Sequence, residues 1–299
     1  MTGFVILDKP EGLSSFQASR ALRRIYNEKK IGHTGTLDPM ATGVLPVALG
    51  SATRFIPFIP DEDKEYIARF KLGIRTDTLD ITGTVIDESD VNVSAFDVEN
   101  ALGSFRGKLM QVPPMYSALS KDGVKLYKLA RQGQTVEREA REINIYSLEL
   151  TCVLEYNEYE IRVACSKGTY IRSLIDDIGV ALNTYAVMTK LRRTKSNGFD
   201  IKNAVSLDSL SEMPFEKAAE RIINIDAALS AYPEISVSEA QAKRFLNGGE
   251  LSLDRLKPIE AADGLYRVYS EDGRFLGVGE IQRELFSLFP KRVMNADDK

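Results

Sequence analysis

The chain has 299 residues, 43% hydrophobic and 27% charged, with a formal net charge of −4. That composition can build one large core with a small companion, or two of middling size, without disulfide or metal support. No apolar run reaches about 18 residues, which excludes a membrane-spanning helix, and two cysteines with one histidine exclude a four-ligand Cys/His zinc site.

GFVILD at 3–8 predicts a buried strand, and Lys9-Pro10-Glu11-Gly12 the turn that ends it. With no basic segment ahead of it, this start is read as a strand rather than a signal peptide. Ser14 or Ser15 can then cap a helix on which Ala18, Ala21, Leu22 and Ile25 repeat at helical spacing. Residues 32–43, GHTGTLDPMATG, carry three glycines, a proline and three threonines, and predict a loop with unusual backbone angles. Tyr66, Ala68, Phe70 and Leu72 alternate as in a half-buried strand, with Thr82–Asp87 as its expected hairpin partner. Pro113-Pro114 must interrupt any regular element. Lys121–Arg131 reads as an amphipathic basic helix. Strands are expected at 143–153 and 158–165, and a helix near 170–181. Cys152 and Cys165, inside those strands, are read as buried, reduced thiols of a cytoplasmic protein.

The pattern changes near 231–233. Beyond it stand a strand EISV, a helix at 238–246, Asn247-Gly248-Gly249, and strands at 264–270 and 274–281. We therefore read residues 1–231 as one large domain, 232–293 as a small β-rich domain, and 294–299 as a flexible tail.

Charge is unevenly spread. Residues 20–30 have a local excess of four positive charges (Arg20, Arg23, Arg24, Lys29 and Lys30 against Glu28). Residues 106–141 have an excess of five, and 190–202 of four, the last counting Arg192 and Arg193. An acidic protein can thus present a basic face to nucleic acid, although such clusters also arise as solvated helix faces.

Several chemistries leave no trace. There is no phosphate-binding P-loop, no dinucleotide fingerprint, no H-E-x-x-H and no G-x-S-x-G. What stands out is Gly32-His33-Thr34-Gly35-Thr36-Leu37-Asp38-Pro39, a loop with one acid. Pro39 biases Asp38 to an extended geometry, so its carboxylate could act as a nucleophile or base. The same dipeptide can also open a plain turn.

The run KKIGHTGTLDPMATGVLPVALGSATRF (29–55) resembles the active-site signature of the TruB-type tRNA pseudouridine-55 synthases. DKPEGLSS (8–15) is similar to that family's opening motif, with Ser14 where threonine is usual. KEYIARFKLGIRTDTLDITG (64–83), QVPPMYSALSKDGVKLYKLARQG (111–133), and CSKGTYIRSLIDDIG with LRR (165–179, 191–193) follow in the family's order. The C-terminal part resembles the family's PUA-type RNA-binding module more loosely. The resemblance implies an α+β pseudouridine synthase fold with a mixed, largely antiparallel sheet, plus a small β-rich PUA-like C-terminal domain.

It further implies an isomerase that converts uridine-55 in the tRNA T-loop to pseudouridine. Asp38 would be the nucleophile, Tyr66 would stack on an extruded base, and Tyr170 would assist proton removal from C5. Arg172 would pair with Asp38. We expect that arginine to hold the carboxylate incompletely, because a fully bidentate partner would blunt its attack. Leu191 would pack over the base and His33 would stack on the RNA; Lys9 and Lys167 are further candidates for substrate binding. No cofactor or metal is called for. The partner would be the T-arm stem-loop of tRNA, with no membrane and no obligate protein partner, and the protein would act as a monomer. Two rival readings stay open at this point: a non-catalytic RNA-binding or tRNA-folding protein, and a nucleoside hydrolase or glycosylase with an aspartate nucleophile.

Overall fold

Burial follows the sequence period from the first element onward. β1 (Gly3–Lys9) has every residue but Asp8 buried, as its unbroken apolar run requires, in a computed structural model describing residues 1–60, 63–256 and 262–294. Ser14 caps α1 (Ser15–Ile25): it accepts from the Gln17 amide while the Gln17 side chain returns to the Ser14 N–H. Ala18 and Leu22 of α1 then bury against Val5 and Leu7. β2 (Ile31–His33) pairs antiparallel with β3 (Thr42–Leu49).

β4 (Lys64–Leu72) alternates as expected, with Tyr66, Ala68, Phe70 and Leu72 buried. A separate hairpin follows, β5 (Ile74–Thr76) with β6 (Val85–Glu88), then α2 (Ala95–Gly103) and β7 (Gly107–Gln111). After a small hairpin of β8 (Ser120–Lys121) and β9 (Val124–Lys125) come α3 (Leu126–Arg131), β10 (Arg141–Val153) and β11 (Glu158–Cys165). α4 (Ile171–Ala181), β12 (Ala186–Ser196), β13 (Phe199–Asp200) and β14 (Val205–Ser206) complete the large unit.

The main sheet runs β14-β1-β3-β12-β4-β11-β10-β7, with β2 added to β3 and β13 to β12. Only β1/β14 and β3/β12 are parallel, so the sheet is mixed and largely antiparallel. β12 is inserted between β3 and β4, which are near neighbours in sequence. Its register aligns one rung across four strands: Lys9 opposite Gly43, Gly43 opposite Arg193, and Arg193 opposite Tyr66. Gly43 has φ 105°, and a Cβ there would lie 2.1 Å from the Arg193 carbonyl oxygen. Only glycine allows β12 to approach that closely.

Short helices α5 (Leu207–Glu212), α6 (Phe215–Ala219) and α7 (Ile225–Ala228) lead to a second sheet, β15-β17-β18-β19-β16. Its strands are β15 (Glu234–Val237), β16 (Leu251–Ser252), β17 (Gly264–Ser270), β18 (Phe275–Gln282) and β19 (Ser287–Val293), with α8 (Glu239–Leu246) after β15. This unit buries its own core around Phe245, Val268 and Leu288. It also joins the large unit through a cluster in which Val278 and Phe275 meet Phe4, Ala48 and Phe55.

Several sequence expectations need correction. Thr82–Asp87 does not pair with β4; its strand pairs with β5, because β4 is flanked on both sides by β11 and β12. The helix expected over Lys121–Arg131 starts only at Leu126. Asp122 and Gly123, with φ of 50° and 79°, make a tight hairpin turn before it. The loop expected at 32–43 is shorter, since Gly32 and His33 belong to β2 and Thr42 and Gly43 to β3. Cys165 is buried, and burial pushes its thiol up to about 11, but Cys152 is exposed. Arg193, counted with a surface cluster, is buried in the core. Of the tail expected at 294–299, residues 295–299 lie outside the described residues.

Gly43→Ala is expected to destabilise the protein by roughly 3 kcal/mol or more, since both the positive φ and the Arg193 carbonyl oppose a methyl group. Urea denaturation followed by circular dichroism checks this; a loss under about 1 kcal/mol would mean the sheet tolerates the strand spacing being opened.

Candidate active site

The segment between β2 and β3, residues 34–41, is a loop whose backbone bonds run outward to other elements. The Ser15 hydroxyl both accepts from the Leu37 N–H at 2.8 Å and donates to its carbonyl at 3.0 Å. The Gly12 N–H reaches the Pro39 carbonyl at 2.8 Å, and Thr34 donates to the Pro46 carbonyl at 3.0 Å. Gly35 takes a left-handed conformation, φ 64°, and its carbonyl accepts from Arg193 at 3.0 Å. Asp38 therefore stands on a stretch held from α1, β3 and β12. Its side chain keeps 35% of its surface exposed.

Arg172, second residue of α4, is 5% exposed and faces that carboxylate. Its Nε lies 3.0 Å from Asp38 Oδ2 and its Nη2 donates to Oδ1 at 3.3 Å. The fork thus engages both oxygens, and the expectation of incomplete holding is corrected to a two-point pair with one long arm. Nη2 is shared with the Tyr116 carbonyl at 2.8 Å, and Nη1 donates to the Thr78 carbonyl at 2.8 Å. Nη1 also lies 3.6 Å from Oδ2 of Asp80, a buried acid. Asp80 is held in turn by the Thr78 hydroxyl, the Thr82 N–H and the Thr82 hydroxyl. Arg172 accordingly joins α4 to the loop at 77–83, to Tyr116 and to Asp38, and one cation serves two carboxylates.

Burial raises the Asp38 pKa above its ordinary value; Arg172 opposes the shift, Asp80 adds to it, and Lys9 opposes it. Tyr66, 7% exposed on β4, shares a core cluster with Leu37, Met40 and Leu191. Burial raises its pKa, and the guanidinium of Arg193, its cross-strand neighbour, opposes the shift. Leu191 lies opposite Ala68 on β12, on the same side of the sheet as Tyr66 by register. Tyr170 is the residue just ahead of α4. The Gln111 amide pins it, accepting from the Tyr170 N–H at 2.8 Å and donating to its carbonyl at 3.0 Å. The half-buried phenol of Tyr170 is raised in pKa by burial and lies against Ser117.

The remaining candidates stand differently. His33 ends β2, half-buried; burial and then the nearby Arg193 charge lower its pKa, so it is neutral at pH 7. Lys167 is exposed in the turn between β11 and α4. Lys9 does not fit a direct substrate contact. It is fully buried, and its ammonium donates to the carbonyls of Pro10 at 2.7 Å, Leu13 at 2.6 Å and Pro39 at 3.2 Å. All three protons are spent on the turn after β1 and on the residue next to Asp38.

Asp80, Gln111, Ser15 and Arg193 were missed by sequence reasoning. Asp80 lies inside the quoted segment 64–83, yet nothing in its spacing separates it from the surface acids around it. A recess of about 210 Å³ opens along the segment after Tyr116, lined by Leu119, Lys121, Leu126, Arg138 and Arg141 among others.

Residues 23–171 match the family described as TruB family pseudouridylate synthase (N-terminal domain). Residues 172–231 match the tRNA pseudouridylate synthase B C-terminal domain, and 233–294 the C-terminal model of pseudouridine synthase II TruB. The tRNA pseudouridine synthase B of Clostridium tetani (strain Massachusetts / E88) is 44% identical over 290 residues, covering 96% of this chain and 98% of that one. The protein of the same name from Burkholderia mallei (strain NCTC 10247) is 45% identical over 297 residues, covering 98% and 97%. A chain from the crystal structure of a Cbf5–Nop10–Gar1 complex superposes with a TM-score of 0.74 at 25% identity, over 99% of this chain and 86% of that one.

Lys9→Met should cost about 1–3 kcal/mol, because three inward carbonyls lose their ammonium donor. The pH dependence has a definite sign. Burial lowers the Lys9 pKa from 10.5 to about 8, so between those values the unfolded chain binds the extra proton. The stability of wild type relative to Lys9→Met should therefore rise as pH climbs from 8 toward 10.5. Paired denaturation curves across that range check it; a flat or falling difference would show that burial does not depress the group and that the ammonium stays charged inside.

Proposed function

Because the chain belongs to the TruB family of pseudouridine synthases, and is therefore an isomerase, we propose that it acts on uridine-55 in the T-loop of tRNA. Asp38 is its nucleophile and the target base is flipped out of the loop. The single observation that carries this reading is the Asp38 carboxylate, one-third exposed on a loop pinned from three elements and paired with a buried arginine.

The chemistry fits such a site. The bond from ribose C1′ to uracil N1 breaks, the base turns, and C1′ joins C5; C5 loses a proton and N1 gains one. No electron is exchanged overall and no group is consumed. A carboxylate can attack either ribose C1′ or uracil C6, and both routes need it ionised. Arg172 favours the ionised form against burial and fixes its orientation. Each Asp38 oxygen meets one guanidinium nitrogen and keeps a lone pair for attack. Tyr66 offers the flat surface for an unstacked uracil, with Leu191 closing over it. Tyr170, half-buried just ahead of α4, is assigned the assistance of proton removal at C5.

Extruding the base costs a few kcal/mol. Phosphate contacts offset this: Arg20, Arg23, Arg24, Lys29 and Lys30 are all exposed, as is Lys167. His33, neutral at pH 7, serves by stacking on the RNA rather than by charge. Residues 1–231 form the catalytic domain and 232–293 a PUA-like module that adds RNA contacts, in a cytoplasmic protein that works as a monomer on the T-arm.

Tritium release from 5-labelled uridine in a tRNA transcript should fall by roughly 10⁴-fold or more in Asp38→Asn, with tRNA affinity retained. Comparable release by both proteins would remove Asp38 from the reaction, and free uracil among the products would point to a glycosylase. The wild-type single-turnover rate should drop on the acid side as Asp38 takes up a proton. Its midpoint should lie above the ordinary aspartate value of about 3.9, because burial raises this group; a midpoint at or below that value would contradict the assigned environment.

A further inference from the structure

Among the described residues Arg193 is the bulkiest fully buried side chain, 1% exposed, and no carboxylate pairs with it. A buried cation without an anion is expensive to keep and persists where its donors are all used. Nε donates to the Val44 carbonyl of β3 at 2.8 Å and Nη2 to the Gly35 carbonyl at 3.0 Å, while Tyr66, directly opposite Arg193 in register, brings its phenol beside the guanidinium. A planar guanidinium meets such neighbours in fixed directions, which a lysine cannot. The three neighbours belong to the strand behind the site, the loop that carries Asp38, and the aromatic ring expected to meet the base.

The backbone supports the same arrangement. Arg193 sits in β12 between Gly43 and Tyr66 on one rung, and Gly43 contributes no side chain that would block the path from Arg193 toward the loop. Gly35, whose carbonyl accepts the bond, is held in the left-handed region, with a would-be Cβ 3.4 Å from Nη1. A side chain at Gly35 would press on the same guanidinium.

We propose that Arg193 is a positioning residue of the isomerisation: it locks the Asp38 loop and the Tyr66 ring to one buried guanidinium, fixing their mutual distance before RNA arrives. It touches neither substrate nor reacting atoms. This inference rests on the roles given above to Asp38 and Tyr66.

The test uses Arg193→Met, Tyr66→Phe and the double variant in the full chain. Arg193→Met should lower kcat on tRNA by about 10²-fold, the scale of an ångström misplacement of reacting groups, while Kd for tRNA moves less than about threefold. Tyr66→Phe should lose rate through the same tie, so the double variant should be no slower than Arg193→Met alone. Hydrogen exchange of the RNA-free protein reads the lock without any reaction: amides of residues 34–41 should exchange at least tenfold faster in Arg193→Met. If Arg193→Met does not fold, Tyr66→Phe removes one tie without emptying the core and should still loosen residues 34–41. Unchanged exchange in the loop, or strictly additive rate losses, would overturn the proposal. An inactive wild type with a loosened loop in the variants would instead overturn the assigned reaction and leave the lock standing.

Discussion

One guanidinium shared between two carboxylates sets the terms for everything around it. At 3.0 Å, Arg172 and Asp38 attract by about 5 kcal/mol at an effective dielectric constant near 20. Withdrawing either ion from water costs several kcal/mol, so the attraction roughly offsets the burial and leaves no surplus. Asp80 tilts the result, since its negative charge adds to the burial that raises Asp38. The carboxylate is thus kept less stable than a surface aspartate, as the proposed role of a nucleophile would require. Arg172 cannot simply follow it, because backbone carbonyls of Thr78 and Tyr116 hold its other arms.

The scaffold meets this demand with buried polar ties rather than with a larger apolar core. Lys9 ties the turn after β1 to Pro39, Ser15 ties α1 to Leu37, and Arg193 ties β3 to Gly35. Each bond alone is worth on the order of 1 kcal/mol net, but together they leave the eight-residue segment 34–41 little freedom. The apolar cluster of Leu37, Met40, Tyr66 and Leu191 closes the space beneath. The small C-terminal sheet packs elsewhere, on Phe4, Ala48 and Phe55, where it reinforces β1 and β3 without reaching the loop.

Legibility in the sequence tracked how local each cause was. α1 and β4 were readable because a capping box and a two-residue period are written in consecutive residues. The partner of β4 was not, because β11 and β12 lie about 85 and about 115 residues downstream and only tertiary pairing selects them. The helix over Lys121–Arg131 was overextended because the cation spacing was weighed above the Asp122-Gly123 turn. Asp38 was visible as a lone acid in a glycine–threonine loop, and the family resemblance then pointed to Arg172. Asp80 and Arg193 were misjudged because charged side chains are read as solvated, and Lys9 because it was read as a substrate contact; only the fold reveals that carbonyls or a neighbouring guanidinium await them inside.

The insertion of β12 between β3 and β4 has a bearing on biosynthesis. A ribosome delivers the chain from the N-terminus, and β3 and β4 are complete by residue 72, yet the strand that bridges them ends at residue 196, nearly two-thirds of the way along. Until then two apolar strand edges stand open, a template for wrong pairing. Closure must wait for a contact spanning well over a hundred residues, which makes it a slow step. A nascent chain of this protein therefore needs shelter longest beside the loop that carries Asp38.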